Sequence, residues 1–145
     1  MDKIAAENQE IFESCGELEE PNALPILANC DFLYAMYPAG HPYRGFRRLS
    51  LPIKLSTYIQ AQRPIFAQTP EDSSLAKIVS QYRIGSLCNS DEQIRLRETI
   101  RAVLSSQVKR EQFELVRSEL MGEDQIKKLR SALTRIKKNC EAERQ

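Results

Sequence analysis

The sequence is poor in the residues that build metal sites and disulfide frameworks. It has 145 residues, with one histidine and four cysteines. The cysteines lie far apart and form no C-x-x-C pair: Cys15, Cys30, Cys88 and Cys140. Structural zinc needs four convergent Cys or His ligands, and a disulfide scaffold needs a dense cysteine pattern. We therefore expect reduced thiols, no metal and no cofactor.

Long apolar runs and leader segments are also missing. The longest stretch poor in charge, residues 21–43, contains Asp31 and four prolines. It cannot form the apolar helix of roughly 20 residues that crosses a bilayer. Residues 1–16 carry acids and no continuous apolar core, unlike a secretory signal. The expected location is cytoplasmic.

Several catalytic signatures are absent as well. The sequence contains no G-x-G-x-x-G, G-x-x-x-x-G-K-[ST], H-E-x-x-H or G-x-S-x-G pattern. These patterns mark dinucleotide-binding turns, P-loops, zinc proteases and serine nucleophile elbows. The sequence supports none of these classes.

The composition is that of one globular domain. Hydrophobic residues make up 41% of the chain and charged residues 28%, which is typical of a protein with a packed core. The 21 Lys and Arg residues exceed the 20 Asp and Glu residues by one. This balance argues against a protein that coats nucleic acid, and no nucleic-acid partner is expected.

The charge is nevertheless unevenly distributed. Residues 1–24 hold seven acids and one base, whereas residues 32–70 hold five bases and no acid. An acid-free basic interval is a candidate anion site. Its bases are Arg44, Arg47, Arg48, Lys54 and Arg63.

The hydrophobic pattern predicts alternating strands and helices. Strands are expected at residues 10–16, 31–37, 64–67 and 84–88, the second as a central strand covered on both faces. Helices are expected over 19–30, over 52–62, from 69 to near 82, from 90 to about 104, and through the last third with a break at Gly122. Residues 38–49, which contain two glycines and two prolines, are expected to form a loop. The order predicts an α/β fold with a parallel sheet in residues 1–106 and a helical tail, residues 107–145, that packs on it.

A parallel sheet binds its ligand beyond the carboxyl ends of its strands. The loop after Tyr37 and the helix expected from Pro52 lie at such an end, and the unpaired first amides of a helix attract phosphate. Ser50, as the cap of that helix, adds a hydroxyl donor, and Lys54 adds a charge. The loop adds three arginines that suit bidentate contact with phosphate: Arg44, Arg47 and Arg48.

Each of these residues also has a plainer interpretation. The arginines could keep a loop in solution, Ser50 could serve only as a cap, and Lys54 could lie on a solvated face. Taken together, the pattern favours a phosphorylated or nucleotide ligand.

Other polar features have mainly structural interpretations. Thr69 is expected to cap the next helix, where Glu71 and Asp72 would interact with the helix dipole. Ser90 and Gln93 have the spacing of a capping box. His41 is a lone histidine in a loop rich in Gly and Pro, and a catalytic role is the less favoured interpretation.

The final helix has a basic face that could contact RNA or anionic lipid. A solvated face is the favoured interpretation, and peripheral membrane contact stays open. The residues of that face are Lys127, Lys128, Arg130, Arg135, Lys137 and Lys138.

The region from Asp31 to Gly85 resembles the C-terminal donor-binding domain of GT-B-fold glycosyltransferases of the retaining "group 1" type. The resemblance is carried by D-F-L-Y at residues 31–34 with Tyr37-Pro38, by S-L-P-I-K-L-S-T-Y-I-Q-A-Q-R-P-I at residues 50–65, and by Ile84-Gly85. The family's helix reads roughly P-x-K-L-x-E-Y-x-A-x-G-x-P-[VI]. Thr57 stands where the family has a glutamate that contacts the donor ribose, Gln62-Arg63 replaces its glycine, and Leu49 stands at the position of an acid that reaches the donor sugar.

The resemblance implies a Rossmann-like parallel sheet with helices on both faces, one half of a GT-B fold. It also implies a nucleoside diphosphate sugar as donor substrate. Ser50, Pro52 and Lys54 would face the diphosphate, Thr57 and Tyr58 the ribose, and the loop from Tyr37 to His41 the sugar. The full set of implied donor-binding residues is Tyr37, His41, Ser50, Leu51, Pro52, Lys54, Leu55, Thr57 and Tyr58.

The resemblance further implies an N-terminal acceptor domain that forms the other half of the cleft, so that this chain would be a fragment of the enzyme. The acceptor is not specified, no residue is assigned to catalysis, and no metal is implied. Two alternatives stay open. One is a non-catalytic α/β binding or interaction module derived from such a domain, and the other is an unrelated α/β protein that binds a different phosphoanion.

Overall fold

The computed structural model describes the backbone of residues 13–142 and the side chains of residues 13–136. Short strands alternate with helices, which confirms the α/β class. The elements in chain order are α1 (Glu20–Ala28), β1 (Leu33–Met36), a 3-10 turn (His41–Tyr43), α2 (Arg44–Leu49), α3 (Leu55–Ala61), β2 (Ile65–Gln68), α4 (Ser74–Tyr82), β3 (Gly85–Cys88), α5 (Gln93–Ser105), α6 (Arg110–Met121) and α7 (Glu123–Ala142).

The three strands form one open parallel sheet in the order β1-β2-β3. Leu33 of β1 is in register with Ile65 of β2, which is in register with Gly85 of β3. A Cβ atom at Gly85 would overlap the backbone carbonyl of Ile65. Only glycine therefore allows β3 to approach β2 this closely.

Helices cover both faces of the sheet, as expected for a Rossmann-like half-domain. On one face the buried residues of β1 and β2 pack into the main core with side chains of α3, α4 and α6. On the other face Phe66 of β2 and Cys88 of β3 pack with Val103 of α5. The alternation follows from the period of two along a strand, which sends successive side chains to opposite faces.

Two helices end in the same unusual way. Gln62 after α3 and Arg83 after α4 both have a left-handed backbone, with φ of 54° and 53°. Glycine is the residue that adopts this conformation without a steric cost. Gln62 and Arg83 therefore adopt, with side chains, a backbone conformation that favours glycine.

The prediction that residues 31–37 form a central strand covered on both faces is wrong. β1 is an edge strand of the sheet that the structure describes, and Tyr34 and Met36 on its second face are 43% and 54% exposed. The reason is that α5 contacts β2 and β3 but leaves β1 open. An apolar run identifies a strand without reporting whether a helix covers it.

The prediction of a loop over residues 38–49 is also wrong. The segment folds into the 3-10 turn and α2 despite its glycines and prolines. Tertiary contacts support it, because the one hydroxyl proton of Ser74 is shared between the backbone carbonyls of Arg47 and Ser50. Such contacts override weak local helix propensity.

The predicted helix caps are displaced. Ser50 ends α2 and does not cap α3, which begins only at Leu55 after a turn. The cap of α4 is Ser73, whose Oγ accepts from the backbone N–H of Ala76 at 2.9 Å, so Thr69 is not the cap. Ser90 accepts from the N–H of Glu92 and forms no capping box, because α5 begins at Gln93. Pro52 and Pro70 therefore both lie in turns that precede their helices.

The strand expected at residues 10–16 is not observed in its described part. Residues 13–16 have no regular structure. Residues 10–12 lie outside the described part of the chain.

Candidate strand-end cleft

The carboxyl ends of the three strands open onto one cleft of about 170 Å³. Its walls are the ends of the strands and the residues that follow them, namely residues 36–39, 68–70 and 88–91. Ligands of open parallel sheets bind at this edge because the strand-to-helix loops converge there. We call this the strand-end cleft.

At one side of the strand-end cleft, hydrogen bonds join side chains of β1, β2 and the segment after β3. The hydroxyl of Tyr34 donates to Oε1 of Gln68 at 2.6 Å. The amide nitrogen of Gln68 donates to Oδ1 of Asp91 at 2.8 Å. Burial, and then the negative charge of Asp91, raise the pKa of Tyr34. The carboxylate of Asp91 is thus oriented at the cleft as a hydrogen-bond acceptor.

Arg47 ties the loop after β1 to the loop after β2. Its Nε and Nη2 donate to the two carboxylate oxygens of Asp72 at 2.8 and 3.2 Å, and its Nη1 donates to the carbonyls of Ala39 and Gly40 at 3.2 and 3.1 Å. The hydrogen bond from Arg47 is the main reason that the pKa of Asp72 is lowered. Arg47 is 8% exposed, so it serves neither as a solvated loop residue nor as an open phosphate ligand.

This clamp was missed by sequence reasoning. The sequence pattern predicts that Asp72 interacts with a helix dipole, but α4 begins two residues later at Ser74. Its neighbour Glu71 accepts a hydrogen bond from Asn89 at 3.0 Å. The sequence does place Arg47 and Asp72 after two neighbouring parallel strands, so both residues are expected at the same edge of the sheet, and this placement could have indicated the ion pair.

The residues implied by the family resemblance occupy different environments. Tyr37 lines the strand-end cleft and is buried, and its hydroxyl lies 3.1 Å from Oγ of Ser50. Ser50 Oγ also donates to the carbonyl of Phe46 at 2.7 Å. The structure therefore brings Tyr37 and Ser50 together, with both hydroxyls in internal hydrogen bonds.

Three of these residues lie on α3. Leu55 and Tyr58 are in the main core, and the hydroxyl of Tyr58 donates to the carbonyl of Tyr34 at 3.0 Å. Burial raises the pKa of Tyr58. Thr57 faces α1, where its hydroxyl donates to Glu20 at 3.0 Å.

The other implied residues are more open to solvent. His41, Leu51 and Lys54 are exposed, and Pro52 is half-buried. Lys54 immediately precedes α3. It is therefore available to a ligand, whereas the α3 residues are already engaged in packing.

A second, basic cleft lies between α2 and α4. Arg44, Arg48 and Lys77 line it, and its volume is about 570 Å³. The Nε of Arg44 is 3.8 Å from Asp72, and all three cations are exposed. Sequence reasoning identified both arginines but missed Lys77, which lies one turn into the helix that follows β2.

The described part of the chain shows no metal cluster, no disulfide and no membrane-spanning helix. Among the side chains of residues 13–136, no group of three His, Cys, Asp or Glu residues is arranged to hold a metal ion. The cysteines described there, at positions 15, 30 and 88, are free thiols. No helix in the same range is long and apolar enough to cross a membrane.

The fold and the strand-end cleft define a class: a Rossmann-like α/β half-domain with an open cleft at the carboxyl edge of its sheet. No family model matches the sequence, and neither a curated protein nor a solved structure matches it.

Proposed function

We propose that this chain is the donor-binding part of a glycosyltransferase of the retaining GT-B type and binds a nucleoside diphosphate sugar at the strand-end cleft. The observation that carries the proposal is the cleft itself. Among the segments that resemble the family, Tyr37-Pro38 lines the cleft at the carboxyl edge of the sheet, and Oγ of Ser50, the first residue of the 50–65 segment, lies 3.1 Å from the hydroxyl of Tyr37. That edge is where open α/β sheets bind nucleotides.

The polar groups around the edge suit the two ends of such a donor. The oriented carboxylate of Asp91 and the side chain of Asn89 offer hydrogen bonds to sugar or ribose hydroxyls. The exposed cations of the neighbouring basic cleft, Arg44, Arg48 and Lys77, and the exposed Lys54 before α3 suit the charge of a diphosphate. Of the residues that the resemblance assigns to the diphosphate, Lys54 is the one whose charge is open to it.

A thermal-shift titration tests the proposal. Uridine or guanosine diphosphate should raise the melting temperature of the full chain, because a ligand that binds only the folded state stabilises it by mass action. Lys54→Ala should reduce the shift without lowering the melting temperature of the free protein. Arg101→Ala, on the exposed side of α5, is the matched control and should leave the shift unchanged. The absence of a shift with either nucleotide at millimolar concentration would contradict the proposal.

One observation favours the alternative of a non-catalytic module. Thr57, at the position of the family's ribose-binding glutamate, donates to Glu20 of α1 and offers no carboxylate. The two functions differ in their response to the sugar. A donor site should be stabilised more by a nucleotide sugar than by the matching nucleoside diphosphate, whereas a module that has lost the donor site should respond to neither.

A further inference from the structure

The last helix, α7, carries an apolar stripe that the rest of the described chain does not cover. Its four residues are spaced by three, four and three positions, which places them on one side of a helix. Their exposed fractions are 51%, 60%, 57% and 59% for Ile126, Leu129, Leu133 and Ile136. We call them the apolar stripe. α7 packs against α6, and no described side chain of α7 is buried.

The same segment is strongly basic. From Ile126 to Cys140 the sequence has six bases and no acid. Four of these bases lie on the described part of α7: Lys127, Lys128, Arg130 and Arg135. Three of the four line a shallow groove of about 430 Å³ together with Asp124 and Ser131, on the side of the helix away from the apolar stripe. Asp124 pairs with Lys127 at 3.4 Å, so the groove keeps an excess of positive charge. α7 thus combines an uncovered apolar side with a dense positive charge.

Self-association does not fit this charge pattern. The spacing of the apolar stripe is that of a coiled-coil seam, in which charged residues beside the seam pair with opposite charges on the partner. The residues beside this seam are Arg130 and Lys137 on one side and Ala132 and Asn139 on the other. A second copy would therefore supply no acid to these bases.

RNA fits the cations but not the apolar stripe. Single-stranded nucleic acid is bound by cations combined with aromatic side chains on which bases stack. α7 contains no aromatic residue. Four exposed aliphatic side chains would gain nothing from RNA, whereas an anionic lipid surface uses the cations and the aliphatic stripe together.

We propose that α7 binds the surface of a membrane that carries anionic lipid headgroups. The helix lies parallel to the surface, with the apolar stripe among the upper acyl chains and the lysines and arginines at the lipid phosphates. This placement agrees with the helix being too polar to cross a bilayer. It does not depend on the function of the strand-end cleft.

Vesicle flotation with the full chain tests the proposal. One set of vesicles contains phosphatidylcholine alone, and the other contains phosphatidylcholine mixed with an equal amount of phosphatidylglycerol. The protein should bind the anionic vesicles at least about tenfold more tightly than the neutral ones, and added salt should weaken the binding. Equal affinity for both vesicles, or no binding to either, would overturn the proposal.

A matched pair of variants separates the apolar stripe from the charge. Leu129→Glu places an acid in the stripe, and Ser131→Glu places the same charge on the basic side. We expect Leu129→Glu to lose at least about tenfold in affinity and Ser131→Glu to lose only a few-fold. Circular dichroism verifies that both variants fold. Equal losses would show that charge alone is responsible, and a dimer in light scattering that Leu129→Glu dissociates would assign the stripe to self-association; either result would overturn the proposal.

Discussion

Arg47 has the largest set of polar contacts of any side chain described. Its guanidinium donates hydrogen bonds to the carboxylate of Asp72, in the loop after β2, and to two backbone carbonyls in the loop after β1. A planar group with five donors can satisfy all these acceptors at once, and the ammonium of a lysine cannot. The shape of the strand-end cleft therefore depends on one arginine.

Arg47→Lys is expected to destabilise the protein by about 1–3 kcal/mol, because a lysine at this buried position cannot keep both the two-point contact with Asp72 and the hydrogen bonds to the carbonyls of Ala39 and Gly40. Arg44→Lys, at an exposed arginine near the same carboxylate, should cost less than about 0.5 kcal/mol. Urea denaturation of both variants measures the difference. Equal stabilities would show that Arg47 does not act as a clamp.

Tyr82 should make the stability of the protein depend on pH in the alkaline range. The hydroxyl of Tyr82 donates to Oε2 of Glu119 at 2.6 Å. This hydrogen bond, with burial and the charge of Glu119, raises the pKa of Tyr82 to about 12. The folded state therefore keeps the proton at a pH at which the unfolded chain, with its ordinary value of 10.0, loses it. The stabilisation is fully present below pH 10 and is lost as the pH rises towards 12.

Near pH 8, Tyr82→Phe should lower the free energy of unfolding by about 1–2 kcal/mol. Between pH 10 and about 12, its free energy of unfolding should fall less than that of the wild type. Denaturant unfolding at a series of pH values gives both quantities. Glu119→Ala should flatten the profile in the same way, and the double variant should show no further flattening. If the free energy of unfolding of Tyr82→Phe falls with pH as steeply as that of the wild type, other groups cause the decline.

At the scale of elements, the sequence predicts a helix or strand well when the contacts that stabilise it are local in the sequence. β2 and β3 were predicted because short apolar runs between turn residues are a local signal. α2 was missed because its support comes from Asp72 and Ser74, about 25 residues away in the sequence. The alternation of strands and helices predicts a parallel sheet and hence a ligand site at its carboxyl edge, and the structure has a cleft at that edge. The contacts of Ser50, Thr57 and Tyr58 could not be predicted, because they depend on how α2, α1 and β1 pack.

The end of α3 offers a test of the left-handed cap. Gln62→Gly should raise the stability of the protein by about 0.5–1 kcal/mol, because glycine avoids the steric cost of a positive φ. Gln62→Ala removes the same side chain but keeps that cost, so it should not stabilise. Thermal unfolding of the two variants makes the comparison. A gain in stability for Gln62→Ala as well would mean that the side chain, and not the backbone, is unfavourable there.

At the scale of the whole molecule, the two last helices have different roles. Phe113 and Val116 of α6 are fully buried in the main core. The described side chains of α7 contribute nothing to that core. The stability of the fold should therefore depend on α6 and be nearly independent of α7.

A chain that ends at Gly122 should retain its fold and lose no more than about 1 kcal/mol of unfolding free energy. A chain that ends at Ser106 lacks Phe113 and Val116, and it should lose at least about 4 kcal/mol or fail to fold. Circular dichroism with urea denaturation compares them. Unfolding of the longer truncated chain would show that α7 packs on the core after all.

No further strand pairs with the outer edge of β1 among residues 13–142, and this has a consequence for aggregation. An unpaired strand edge is a template on which other chains can add, and natural proteins shorten such edges with charges and prolines. β1 has only four residues and lies between Asp31 and Pro38. Replacing both flanking residues with valine would lengthen the edge, so Asp31→Val/Pro38→Val should aggregate faster on heating, as measured by light scattering. Unchanged kinetics would mean that the edge is not where chains first join; faster kinetics would make the two flanking residues the protein's protection against misassembly.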